Sequence, residues 1–170
     1  MRWIWIDRIL ELVPGERLVA IKNISLAEEH LHDHFPVDSV EGLPAAPAMP
    51  GSLVIEGVAQ TAGILVGHAE NFRHKVILAK ITKAVLNRDA VPGDTLRYTA
   101  TIAQRMPQGA VTRGTIELLS PGFETERIGQ VDLVFSHLDN NMGGVQFPEH
   151  NFVFGDSFKT VLRTSGVHVD

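Results

Sequence analysis

Residues 50–68 read PGSLVIEGVAQTAGILVGH, and their pattern decides the fold. Pro50 followed by Gly51 marks a helix start, because the missing N–H of proline costs nothing in a first turn. The run that follows predicts a helix over about 52–68. Across the fourteen residues 53–66 only Glu56, Gln60 and Thr61 are polar, so the helix has no broad face to give to water. It must be enclosed. Gly57, Ala59, Ala62, Gly63 and Gly67 are small, which lets strand side chains approach the helix backbone and offsets the poor helix propensity of the glycines.

Working outward, the flanking segments are β-rich and punctuated by turns. Residues 3–6 and 18–24 read as strands joined around Pro14 and Gly15. After the helix, 76–86, 95–105, 110–119 and 127–136 form four more, linked by VPGD at 91–94, PQG at 107–109 and PGF at 121–123. Strands, one helix, then consecutive strands predict an α+β fold with a long antiparallel sheet curved around one buried helix. No internal repeat interrupts this order. Residues 1–137 make up the expected domain, and 138–170 an extension packed back on it, with Asp156 or Ser157 as N-cap of a short helix carrying Phe158, Val161 and Leu162.

With 170 residues, 44% hydrophobic and 21% charged, the chain can bury a core and is neither fibrous nor disordered. It has no cysteine, so disulfides, thiolate metal sites and a cysteine nucleophile are excluded. Asp7 and Arg8 interrupt the apolar N-terminus, and no uninterrupted apolar run reaches membrane-spanning length. A cytoplasmic protein is the expectation. A net charge of −5 argues against nucleic acid. Yet Arg73, Lys75, Lys80, Lys83 and Arg88 occur with no acid among them, which reads either as a solvated surface or as a docking patch for an anionic partner.

Glu56 is the only charged side chain between Pro50 and His68. Gln60 lies four residues on, on the same helix face, where its amide can aim the carboxylate. Burial would favour the protonated carboxyl, as a general acid requires, although a Glu-Gln pair can also be buried simply by satisfying itself. Upstream, His30, His32 and His34 alternate around Asp33. HLHDH also suggests a metal site, but no later residue completes a ligand motif, and none is assigned. The helix start supplies a third element, since the Gly51 and Ser52 amides would stabilise a developing oxyanion. Base, acid and oxyanion pocket in an apolar surround suit elimination of water from a 3-hydroxy thioester.

At these residues a resemblance becomes specific. HFP at 34–36, PAMPG at 47–51 and SLVIEGVAQ at 52–60 resemble the signature of the FabA/FabZ family of 3-hydroxyacyl-(acyl carrier protein) dehydratases. WIDRILELVPGERLVAIKNIS at 5–25 and AVPGDTLRYTATI at 90–102 extend the likeness to roughly 3–137. The resemblance implies a hotdog fold, His34 as the base at the α-carbon, and Glu56 as the acid for the leaving hydroxyl. It further implies that Gly51 polarises the thioester carbonyl, that the Ala48 carbonyl orients His34, and that Gln60 flanks the carboxylate. Glutamate at 56 resembles the FabZ branch. The implied partners are an acyl carrier protein with a phosphopantetheine-linked substrate and a second copy of the chain, each site drawing on two subunits, with trimers of dimers common. No cofactor is expected.

Several features depart from the family pattern, among them VDSVEGLPAA inserted at 37–46, Lys80 in place of a glycine, LNRDAVPGD at 86–94 less aromatic and basic than the usual approach to that turn, and the extension beyond 138. Two other readings stay open. A hotdog thioesterase also uses a helix carboxylate and helix-start amides, and a non-catalytic acyl-binding or assembly subunit could retain the fold.

Overall fold

The computed structural model describes residues 3–33, 36–138, 144 and 147–167. Its elements run β1 (Arg8–Val13), β2 (Arg17–Asn23), α1 (Glu29–Asp33), α2 (Gly51–Ala69), β3 (Val76–Leu86), β4 (Thr95–Met106), β5 (Gly109–Leu119), β6 (Glu126–His137) and α3 (Asp156–Thr164). The six strands form one antiparallel sheet in the order β1-β2-β4-β5-β6-β3. It wraps around α2. This is the hotdog fold expected from the sequence.

The reason lies in the two periodicities. Strands β2, β4, β5 and β6 alternate buried and partly exposed residues, so each sends one row inward, including Leu18, Leu96, Tyr98, Ile116 and Leu133. Helix α2 buries Val54, Val58, Ala62, Ile64, Leu65 and Val66 against that inner face. By length and composition α2 passes the test for a membrane span, contrary to the expectation from uninterrupted runs, but most of it is buried inside the fold.

Close approach depends on missing side chains on both partners. A Cβ on Gly57 would sit 2.6 Å from the Tyr98 ring, and a Cβ on Gly114 of β5 would sit 2.2 Å from Val58. Helix and sheet thus interlock at two neighbouring points. Burial, with Asp7 and Glu28 nearby, pushes the Tyr98 phenol well above its ordinary range.

One expected strand is absent from the sheet. Residues 3–6 pair with no strand; they cross α2, and the sheet begins at Arg8. The cause is competition, because Gln60 takes the Trp5 N–H and the Trp3 carbonyl that a ladder would have used. Helix α3 also starts differently. Gly155 occupies its N-cap position without a side-chain cap, and Asp156 and Ser157 lie inside the first turn.

The C-terminal segment packs over the far end of α2. Asn151 Nδ2 donates to the Phe72 and His74 carbonyls at 2.9 and 3.0 Å. Phe154 stacks edge-on to Phe72 at 4.9 Å. Leu162 is fully buried, and Ser165 Oγ accepts from the Ile9 N–H at 2.9 Å.

Alanine normally stabilises a helix interior by about 1 kcal/mol over glycine. Here the immobile Tyr98 ring reverses the sign, so Gly57→Ala should destabilise the protein by about 1–3 kcal/mol, the usual cost of overpacking. Urea denaturation measures it; a midpoint equal to or above wild type would contradict the interlock.

Candidate functional site

Helix α2 begins at an exposed corner. The Pro50 carbonyl accepts from the Leu53 and Val54 N–H groups at 2.8 and 3.1 Å. The Gly51 and Ser52 amides precede these bonds in the first turn, where no intrahelical acceptor exists. Both residues are exposed. They face the positive end of the helix dipole toward whatever occupies the corner.

The corner is held from behind. Asp94 accepts from the Val91 N–H at 3.0 Å and from Ser120 Oγ at 2.5 Å, closing the VPGD turn. Ala90 then offers its carbonyl to the Met49 N–H at 2.8 Å, which fixes the approach to α2 and leaves Ala48 buried just before it. A Cβ on Gly51 would lie 3.1 Å from Leu86 of β3, so glycine suits this crossing.

Glu56 follows five residues after Gly51, an axial rise of about 7.5 Å. Its carboxylate accepts from Gln60 Nε2 at 3.0 Å. Gln60 is itself buried and holds two more bonds, donating to the Trp3 carbonyl and accepting from the Trp5 N–H, each at 2.8 Å. The expected Glu-Gln pair is therefore present. Its amide is locked by the N-terminal segment, a long-range contact that no local pattern predicts.

Glu56 itself is half-buried. It opens onto an apolar groove of about 260 Å³ between α2 and the start of β3. Gly63, Ile64 and Phe135 line the groove, together with Val153, Phe154 and Phe158 from the C-terminal segment. A carboxylate at the edge of an apolar channel can exchange protons with a bound chain while the rest of that chain stays dry. A larger hollow of about 970 Å³ lies beyond the other end of α2, among His68, Arg73, Asn151 and Lys159. It is the bigger cavity, but its lining does not include Glu56. Burial lowers the pKa of His68 there.

His34 lies outside the described residues, so the structure does not bring it into a measured relation with Glu56. The chain leading to it is anchored, however. Buried Lys22 donates to Asp7 Oδ1 at 3.3 Å and to Glu28 Oε1 at 2.5 Å, and the other Glu28 oxygen accepts from the Ser25 N–H at 3.2 Å. This clamp sets the turn before α1, which ends at Asp33. Of the alternating histidines, His30 packs edge-on against Trp5 at 5.0 Å. The inserted loop closes on itself: Asp38 and Leu43 exchange backbone bonds of 3.0 and 2.9 Å, and Asp38 Oδ1 accepts from the Val40 N–H.

The basic set divides. Lys80 and Lys83 are exposed on β3, and Arg73 is exposed beyond α2. Arg88 is exposed but ion-paired with Glu126. Lys75 is a correction: it is only 6% exposed, so it does not belong to a docking surface. A charge run cannot register that the first residue before a strand turns inward. The aromatic wall from the C-terminal segment was also missed, although three phenylalanines at 152, 154 and 158 were the available signal.

Comparison with known proteins agrees with this geometry. Residues 3–120 match the FabA-like domain family. The 3-hydroxyacyl-(acyl-carrier-protein) dehydratase FabZ of Streptococcus pyogenes is 37% identical over 122 residues, 71% of this chain and 76% of the relative. That of Clostridium kluyveri is 34% identical over 111 residues, 65% of this chain and 72% of the relative. Among solved structures, the dehydratase heterocomplex ApeI:P from Xenorhabdus doucetiae superposes with a TM-score of 0.58 at 13% identity, covering 79% of this chain and 83% of that one. The smu.793 protein of Streptococcus mutans, bound to acetyl CoA, gives 0.58 at 8% identity over 76% and 86%. These distant structures share the fold. A match over most of the chain, the FabZ relatives and a glutamate held by glutamine at the groove mouth lead to one conclusion: the chain belongs to the FabA-like family and falls in its FabZ branch.

Proposed function

We propose that the protein dehydrates 3-hydroxyacyl thioesters to trans-2-enoyl thioesters in fatty acid biosynthesis, with the acyl group carried on acyl carrier protein. The observation that carries this reading is the Glu56 carboxyl held by Gln60 at the edge of an apolar groove. The FabZ relatives support the reaction class.

In the proposed mechanism the thioester carbonyl lies at the start of α2, where the Gly51 and Ser52 amides and the helix dipole take up the enolate charge. His34, oriented by the Ala48 carbonyl, removes a proton from C2. The electron pair forms the C2–C3 double bond as the C3–O bond breaks, and protonated Glu56 gives its proton to the leaving hydroxyl, which departs as water. Histidinium and carboxylate remain, and a proton returning from His34 to Glu56 resets the site. The reverse sequence hydrates the product.

The site needs a second copy in this reading. β3 is one of the two outer strands of the sheet, eleven residues long, and from Leu78 to Val85 its residues are exposed. A long open edge bearing Leu78, Ile81 and Val85 is a template for pairing with another chain. A homodimer through β3, with three such dimers as a larger assembly, would cover it. Exposed Arg73, beyond α2 and off that edge, supplies positive charge for an anionic carrier protein and its phosphopantetheine, whereas Lys80 and Lys83 lie within the stretch of β3 that the second copy would cover. Residues 1–137 form the catalytic domain and 138–170 the extension, in a cytoplasmic enzyme.

His34→Ala and Glu56→Gln should each lower turnover by about 10²- to 10⁴-fold without shifting the melting temperature, as loss of a positioned base or acid does. Undiminished turnover in either variant contradicts its role. Mixing the two inactive variants under subunit exchange should restore activity, because a mixed dimer contains one site with both groups intact; no recovery despite exchange would place both groups on one chain. Gln60→Leu removes the donor to Glu56 and the partners of Trp3 and Trp5. It should lower kcat and cost about 1–3 kcal/mol in stability, the penalty for leaving buried polar groups unpaired; denaturation and turnover assays measure both.

A further inference from the structure

The groove beside Glu56 has an end, and the residues that make it lie outside the segment matched to the family, which stops at residue 120. Along α2 the lining passes from Glu56 to Gly63, about 10.5 Å of helix at 1.5 Å per residue. Gly63 carries no side chain to obstruct the channel. One turn further, a Cβ on Gly67 would lie 2.5 Å from the Phe154 ring. Phe154 is thus seated against bare helix backbone and closes the channel at that end. Phe158 stands behind it on α3, edge-on at a centroid distance of 6.1 Å, and Val153 completes the wall.

The wall is fixed rather than draped. Asn151 ties the strand of chain before it to the Phe72 and His74 carbonyls, and its own Oδ1 accepts from the Val153 N–H at 3.1 Å. Phe154 is buried, and Leu162 and Ser165 anchor α3 to the body of the fold. A chain entering past Glu56 therefore meets an aromatic barrier that the substrate cannot push aside cheaply.

We propose that the C-terminal segment gauges acyl length, with Phe154 and Phe158 as specificity-determining residues that stop the methyl end of the substrate. This rests on the dehydratase reading, which supplies the acyl chain as the occupant, and on the continuity of the groove with Glu56. The channel runs only about 10.5 Å along α2 from Glu56 to Gly63 before Phe154 closes it, which suits a medium-length chain and not a long one.

The test compares kcat/KM for 3-hydroxybutanoyl, 3-hydroxyoctanoyl and 3-hydroxyhexadecanoyl thioesters, on acyl carrier protein and on coenzyme A, in the full chain and its variants. Wild type should prefer octanoyl to hexadecanoyl. Phe158→Ala, half-exposed and tolerant of truncation, should raise hexadecanoyl relative to octanoyl turnover by about tenfold or more, the scale on which apolar pockets discriminate. Phe154→Ala should act in the same direction, and Gly63→Val, which narrows the channel, in the opposite one. Unchanged length profiles in folded Phe158→Ala and Gly63→Val, with wild type active, overturn the gauge and leave the dehydratase reading intact. Absence of turnover by wild type on every substrate and both carriers overturns both.

Discussion

Helix α2 is apolar on every side, and enclosing it is the constraint that the rest of the structure meets. The sheet supplies most of the cover, but strands carrying ordinary side chains could not come close enough. Gly57 beneath Tyr98 and Gly114 beneath Val58 remove that obstacle from opposite sides. What the sheet leaves uncovered is taken by segments with no ladder to join: residues 3–6 across the middle of α2 and the C-terminal segment across its far end. The start of the helix and the groove remain open. Glu56 is placed between them.

The buried polar groups follow from the same constraint. An unpartnered amide in this interior would cost about 1–3 kcal/mol, so Gln60 is admitted only because it has three partners. Its bond to Glu56 comes with two bonds to the N-terminal backbone, so fold and site share one side chain. Lys22 acts similarly on the other side, holding Asp7 and Glu28 and with them the turn before α1. Pairing a buried lysine with two carboxylates offsets a desolvation cost that neither partner alone would offset as well.

The regular part of the fold was legible because periodicity and turn chemistry agreed. The helix at 51–69 and the strands at 76–86, 95–106, 109–119 and 126–137 fall within one or two residues of their expected bounds. Failures occurred where tertiary contacts outweighed local preference. Residues 3–6 have strand-like side chains, but Gln60 offers their backbone better partners than an edge does. Lys75 looked like one of a row of surface cations, and its inward direction is a property of the sheet rather than of the run. Glu56, Gln60 and the helix start were recognisable from types and spacing along one helix. The aromatic end wall was not, because it joins residues 67 and 154 through long-range packing, and a cluster of phenylalanines does not by itself say which surface it covers.

The central claim is that an acid at position 56 expels water from a bound 3-hydroxyacyl thioester. Its most direct measurement follows enoyl thioester absorbance and free thiol together in one reaction with a 3-hydroxyacyl substrate on acyl carrier protein. The account predicts that absorbance rises to an equilibrium plateau, that the same plateau is reached from the enoyl side, and that no thiol appears. Thiol release without an enoyl signal would contradict it and make the chain a thioesterase on the same fold.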